Sequence, residues 1–599
     1  MKKSLLTTSV LMALGASAFA QLPVSTTPQN RKVVLEEFTG IYCVYCPDGH
    51  KRANDLKASK PAGDVILVNI HTGGYATPGA GAPDFRTSEG NAIAAIAGMG
   101  ITGYPTGSVN RHFFPGKTAF ALNRSEWAAA ANQILAMPSY VNVALQGTLN
   151  IQTRQLTVDV ETYYTASTTA TNNLTVMLLE DNVLGPQTGS NDFYPQMLKP
   201  DGSYTHNHML RKVLTPSAMG ETLTGTTAGS TITKTYTFTV PQQFVNNPSF
   251  LGNLQLVAFV AEGNSEIMTA AYGPVTLTNA ASPVAGQFYG DALVESEVCQ
   301  GTLNPMVKIF NGGTTSIQTG TITSSVNNGA TTSLNFTKTI APQTFEYVQL
   351  PTTNFTPVAN NTLNLSLTQV NGAANPATSN TTLTKSNIML TTRVASEDSV
   401  TMSFTQDRYG SESSWKVIEE ATGAVVAQGG PYADLSANGT ATHMSKFKIQ
   451  PSKCYMVEVY DSYGDGINSN YGAGGYTISN GLGVLYSSNG KFGSGEDRYF
   501  KSAATLAVPN VASLVSDIQL APNPTTGNAT LNITLEKASN IRVEVLDVVG
   551  RVVKEISQKQ LTAGQHQFTL ETAGLNAGIY NVRISSETGS VTQRLSVVK

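Results

Sequence analysis

Val33-Val34-Leu35-Glu36-Glu37-Phe38-Thr39-Gly40-Ile41-Tyr42-Cys43-Val44-Tyr45-Cys46 decides how the N-terminal part of this chain is read. Apolar residues surround two glutamates over 32–38, then Thr39-Gly40 breaks the run, and two cysteines follow with two residues between them. The pattern predicts a buried strand, a sharp turn and a helix over 43–58 that holds Pro47 in its first turn, where a missing N–H costs nothing. A Cys-x-x-Cys pair has three uses: half of a zinc site, a structural loop, or a redox couple. Zinc needs two further ligands, usually a second close pair, and none follows. His206-Asn207-His208 offers two imidazoles, but far along the chain. A redox pair needs its first cysteine at a helix N-terminus, where free amides and the helix dipole lower a thiol's pKa.

Outward from this stretch the chain alternates strand and helix to about residue 140. Val65-Ile66-Leu67-Val68-Asn69-Ile70 is a nearly continuous apolar run, as in a strand buried on both faces. Residues 73–83 are rich in Gly, Ala and Pro and read as a loop, and 88–97 as a small-residue helix. Ile101-Thr102-Gly103-Tyr104-Pro105 leads into a strand over 106–110, the place for a cis-proline loop. A last helix covers 125–136, with Asn123 and Glu126 as a cap pair and Trp127, Ala131, Ile134 and Leu135 at helical spacing.

Residues 31–140 resemble a thioredoxin fold. The resemblance implies that Cys43 attacks, Cys46 resolves, Pro105 is cis and packs on the disulfide, and Glu37 relays protons to the second cysteine. Two positions depart from the family: Tyr42 stands where a Trp is usual, and Val44-Tyr45 separates the cysteines. His71 closes the strand 65–70 and is expected to be a loop histidine in water.

At 599 residues the chain is too long for one core, and roughly four units are expected. Charged residues make up only 13%, with Thr, Ser, Asn and Gly in their place, which suits exported β-proteins. The net charge of −3 decides nothing, and no basic patch suggests nucleic acid. Met1-Lys2-Lys3, the apolar run 5–14 and Ala18-Phe19-Ala20 form a signal peptide over 1–20. That run is too short to span a bilayer, and no later stretch is a transmembrane candidate. The mature chain is therefore expected outside the cytoplasm, where disulfides persist.

After Pro138 the period becomes two. The expected order is a β-domain over 141–280, an immunoglobulin-like β-domain over 286–390 and a β-domain over 391–505. A long irregular section, 185–223, interrupts the first. Thr205-His206-Asn207-His208 within it places histidines at i and i+2 of a strand. With the segments before and after it, this region resembles the outer-membrane-protein-28-related family of the Bacteroidota over roughly 30–275. That resemblance implies a secreted or surface protein with a thioredoxin-like module fused to a β-domain. Asp461-Ser462-Tyr463-Gly464-Asp465-Gly466 has carboxylates at positions one and five and Gly at six of a calcium loop. Tyr463 at position three and Gly472 at twelve exclude an EF-hand, which leaves Ca²⁺ at Asp461 and Asp465, or a hydrogen-bonded Asx turn. Cys299 and Cys454 either pair or stay as two buried thiols.

The chain closes on Leu520-Ala521-Pro522-Asn523-Pro524, the strands Ile541-Arg542-Val543-Glu544-Val545-Leu546 and Gly578-Ile579-Tyr580-Asn581-Val582-Arg583-Ile584, and the tail Arg594-Leu595-Ser596-Val597-Val598-Lys599. Residues 518–599 closely resemble the type A C-terminal sorting domain of the type IX secretion system, after a linker near 503–516. That implies passage through the outer membrane by the type IX machinery, then removal of the domain. The sequence thus describes a secreted or cell-surface multidomain protein that exchanges disulfides with protein thiols. The alternative is a surface-ligand-binding protein or adhesin whose cysteine pair is only structural.

Overall fold

The computed structural model describes residues 22, 24–507, 515–548, 550–586 and 589–599. The signal peptide expected over 1–20 and the middle of the linker lie outside the described residues. The chain is mostly β and divides into two units, one of residues 1–294, 304–352 and 363–385, the other of 295–303, 353–362 and 386–599.

In the first unit, β1 (Val33–Thr39) is buried along its whole length. It pairs in parallel with β2 (Val65–His71) through the crossover helix α1 (Cys46–Ala58), and antiparallel with β3 (Thr106–Val109). β4 (Ala121–Asn123) adds an edge beside β3. The helices α2 (Ser88–Ala94) and α3 (Trp127–Leu135) complete the layer. Glu126 Oε2 accepts the Asn123 N–H at 3.2 Å, the cap pair read in the sequence.

Side chains alternate across a strand, and β1 uses both faces. Val33 and Leu35 pack with Ala53, Leu56, Trp127, Ala131 and Ile134 beneath α1 and α3. Val34 and Phe38 face the opposite core, with Ile93 of α2 and with Met177, Leu179, Val257 and Phe259. Those four come from β7 (Asn172–Glu180) and β11 (Leu254–Glu262). The expected segments 31–140 and 141–280 therefore share a core.

They also share a sheet. β5 (Val141–Asn150), β6 (Gln155–Tyr164), β7, β8 (Tyr204–His206), β9 (Met209–Val213), β10 (Thr231–Thr239), β11 and β12 (Ser265–Thr278) form the β part. The strand path is β10-β6-β5-β12-β11-β7-β9-β2-β1-β3-β4. The joint is one parallel pair, Met209 of β9 against Asn69 of β2, where the Asn69 N–H donates to His208 O at 2.7 Å. Later in this unit, strands such as Met306–Asn311, Ile317–Val326 and Thr332–Ile340 form further β-structure.

In the second unit, residues 391–505 form two sheets over a core of Val400, Met402, Phe404, Trp415, Val457 and Ile478. Cys299 and Cys454 are disulfide-bonded. The C-terminal part stacks Val515–Ala521, Ala529–Leu535 and Gly564–Leu570 against the sheet of Val552–Leu561, Ser539–Leu546, Gly578–Ser586 and Gly589–Val597. Alternating inward residues such as Leu531, Ile533, Val543, Val582 and Leu595 fill its core.

Candidate functional site

Cys43 and Cys46 are disulfide-bonded. The helix begins at Cys46, three residues later than the sequence suggests. Cys43 sits in the preceding turn, and its carbonyl accepts the Cys46 N–H at 3.2 Å. Pro47 lies in the first turn of α1, as expected. The peptide Tyr104–Pro105 is cis.

Glu37 and Pro105 meet under this turn. Gly49, three residues after Cys46 on the same helical face, lies directly over both. A Cβ at Gly49 would come 2.5 Å from Glu37 Oε1 and 2.8 Å from Pro105 Cγ. The structure thus brings Glu37, Pro105 and the first turn of α1 together.

The two glutamates of β1 have opposite surroundings because the strand alternates. Glu36 faces the shared core and is held by Arg111 through Nε at 2.8 Å and through Nη2, with the Ser108 hydroxyl donating at 2.9 Å. Glu37 faces α1, is fully buried, and neither carboxylate oxygen has a hydrogen-bond partner among the described residues. Burial pushes its pKa well above the usual carboxylate range; Arg124 opposes the shift and Asp48 adds to it. His50 Nε2 stands 3.9 Å from Glu37 Oε1, beyond hydrogen-bond reach.

Behind the disulfide lies a group of aromatic rings. His50 of α1 contacts Thr39 Oγ1 at 2.9 Å and the Tyr204 hydroxyl at 3.0 Å. The His206 ring is 5.2 Å from His71, 6.3 Å from His50 and 5.0 Å from both Tyr204 and Phe85. Burial drives His50 down to about 3, with His206 and His208 adding to it, and His206 down to about 4. Burial also holds His71 well below its usual value. His71 is therefore a buried neutral ring, not the loop histidine in water that the sequence suggests, because His206 of β8 and Phe85 pack against it at the end of β2. It supplies no positive charge to a thiolate.

His206 and His208 do not share a face. β8 ends at His206, His208 adopts a left-handed φ of 55°, and its Nδ1 lies 3.1 Å from Asp181 Oδ1 instead. Sequence reasoning missed Gln187, Tyr204 and the placement of His206. The one signal was the polar run Thr205-His206-Asn207-His208 inside an irregular section.

A second cluster lies in the other unit. Asp461 and Asp465 stand with Glu412, their carboxylate oxygens within 4.8 Å of one another. Asp461 Oδ1 accepts the Gly464 N–H at 2.6 Å, so the Asx turn is present. Burial, then Asp461, Asp465 and other acidic neighbours, lifts Glu412 to about 7; burial and like charges lift Asp461 to about 6 and raise Asp465. Glu412 was not legible as a partner, since it lies 49 positions before Asp461.

Among the described residues no helix is long and apolar enough to cross a membrane. The sequence profile of outer membrane protein Omp28 matches residues 92–272, beginning after the cysteine pair, and that of the secretion system C-terminal sorting domain matches residues 519–598. No curated protein matches the chain significantly. Solved structures that resemble parts of it include HBP35 of Porphyromonas gingivalis, at 18% identity over 54% of this chain and 98% of that one, with a TM-score of 0.33. Another is protein AGR_C_4864 from Agrobacterium tumefaciens, at 12% identity over 41% and 95%, with a TM-score of 0.26. Such scores carry no fold assignment. Residues 92–272 thus match the outer membrane protein Omp28 family, and with its type IX C-terminal sorting domain the chain is a secreted or outer-membrane, cell-surface protein.

Proposed function

We propose that residues 31–140 are a thioredoxin-like module that exchanges disulfides with protein thiols outside the cell. The observation that supports this most is Glu37. An unpartnered buried carboxyl costs free energy, and an inert disulfide has no use for one. Beside a redox pair it has a role: its raised pKa favours the protonated form, which offers a proton to a leaving thiolate.

An external thiolate attacks Cys43 Sγ. The new bond joins the partner to Cys43, the Cys43–Cys46 bond breaks, and Cys46 leaves with the electron pair and takes the Glu37 proton. A second thiolate of the partner then attacks the partner's own bridged sulfur and releases Cys43. Two external thiols become one disulfide and the pair becomes a dithiol; the same steps run backwards with a disulfide-bearing partner.

The test is the reduction potential of Cys43–Cys46 in the full chain, with exchange against a reduced dithiol protein. Exchange that Cys43→Ser abolishes is expected. A potential below about −300 mV together with no exchange would overturn the reading. That result favours the second reading, a surface-binding protein with a structural pair, which draws support from the burial of Cys43 at 3% exposure.

We further propose that Glu412, Asp461 and Asp465 take Ca²⁺. Hard cations prefer carboxylate oxygens, and these three lie within 4.8 Å of one another, with burial and then acidic neighbours raising the pKa of each.

A further inference from the structure

We infer that residues 186–189 form a strap that decides which thiols reach Cys43, with Gln187 as the residue that holds it in place. The inference rests on the exchange reading above. Gln187 Nε2 donates to Cys43 O at 3.0 Å and to Gly40 O at 3.3 Å. The Thr188 N–H donates to Ile41 O at 2.9 Å. Gly189 has a φ of +74° and passes so close to the turn that a Cβ there would come 2.1 Å from Val44 O. Two consecutive residues thus donate to carbonyls of the turn that carries the disulfide, and the third lies against that turn. Next in the chain, the Phe193 ring packs on Tyr45 at 5.3 Å.

The effect shows in the exposures. Tyr42, Val44 and Tyr45 are 40%, 37% and 53% exposed, yet Cys43 among them is 3% exposed and Cys46 is 0%. Thiol–disulfide exchange needs access to the attacked sulfur. The attacking thiolate must bond to Cys43 Sγ as the Cys43–Cys46 bond breaks and Cys46 takes the electron pair. A partner therefore has to displace the strap.

The carbonyls it occupies set the class of partner. An extended, unstructured cysteine-bearing segment offers backbone N–H groups that can replace the Thr188 N–H on Ile41 O and the Gln187 side-chain amide on Cys43 O. A small thiol offers none and reacts only when the strap opens by itself, as weakly held segments do. Gln187 is thus a specificity-determining residue that favours extended polypeptide thiols over small ones.

The experiment measures, on the full chain, the rate of Cys43–Cys46 reduction by dithiothreitol and by an unstructured peptide with one reduced cysteine, read by thiol labelling and mass. Two variants loosen the strap: Gln187→Ala removes the amide donor, and Gly189→Ala places a Cβ against Val44 O. Reduction by dithiothreitol is expected to accelerate about tenfold or more in either variant, while the peptide rate changes less. Unchanged dithiothreitol rates in both folded variants would overturn the strap. If the variants accelerate but neither they nor the parent protein exchange with a protein partner, the strap stands and the exchange reading falls. If exchange occurs and both rates are unaltered, the reverse holds.

Discussion

Glu36 and Glu37 are neighbours in one strand and both are fully buried, yet Arg111 holds the first while the second has no hydrogen-bond partner among the described residues. Replacing each separates structure from chemistry. Glu36→Gln leaves Arg111 as an uncompensated buried charge and should cost about 3–5 kcal/mol. Glu37→Gln should leave stability unchanged near pH 4.5 and raise it in alkali. The sign follows from a raised pKa: the stability due to protonated Glu37 is fully present below its ordinary value of 4.5 and is lost as pH rises through the raised one. Exchange should slow by about a hundredfold, the usual size of a lost acid–base group. Denaturant titrations at pH 4.5 and 8.5, with exchange rates, read both effects.

The buried imidazoles predict the opposite pH dependence. His50 and His206 fall to about 3 and about 4, so their contribution is present above pH 6.5 and is lost as pH falls toward 4. The slope is at most about 1.4 kcal/mol per pH unit for each ring. His206→Phe should flatten the acid limb of a stability–pH curve measured by urea denaturation. An identical slope would show that these rings are not the groups that titrate.

For the acidic cluster, Ca²⁺ and protons compete. Without the ion, raised carboxyl pKa values mean that stability is lost as pH rises through about 6 to about 7. Ca²⁺ at a hundredfold excess over its dissociation constant should restore about 2.7 kcal/mol at pH 8 and far less at pH 5. Asp461→Asn should remove that response in calorimetry, while an equal response in the variant would rule the site out.

Joining Cys299 to Cys454 closes a loop of 155 residues. Cys299→Ala with Cys454→Ala should destabilise the second unit by about 2–5 kcal/mol, seen as a lower melting temperature of one transition.

Deleting residues 518–599 should stop surface display and leave the protein in the periplasm. Fractionation and surface labelling of cells read this directly, and normal display of the shortened chain would refute the role of the tail.

Much of this was legible locally. β1, the turn, α1 and the cis Tyr104–Pro105 peptide follow from apolar runs, Gly and Pro placement, and the spacing of two cysteines. The C-terminal strands follow from alternation, as in Ile541-Arg542-Val543-Glu544-Val545. What was not legible depends on distant partners. Nothing near Glu36 announces Arg111, 75 positions away. Nothing near Cys43 announces Gln187, 144 positions away. His71 was expected in water because its cover comes from residues that share no period with it, and Glu412 joins Asp461 for the same reason.

The joint between Met209 and Asn69 has a temporal consequence. It links residues 140 positions apart, and contacts distant in sequence are slow to form. The β1–α1–β2 layer contains the turn that brings Cys43 and Cys46 together, while the residue that holds its carbonyls, Gln187, lies 144 positions away. An oxidant that acts before that cover closes pairs the two sulfurs; closure without one encloses both thiols unpaired.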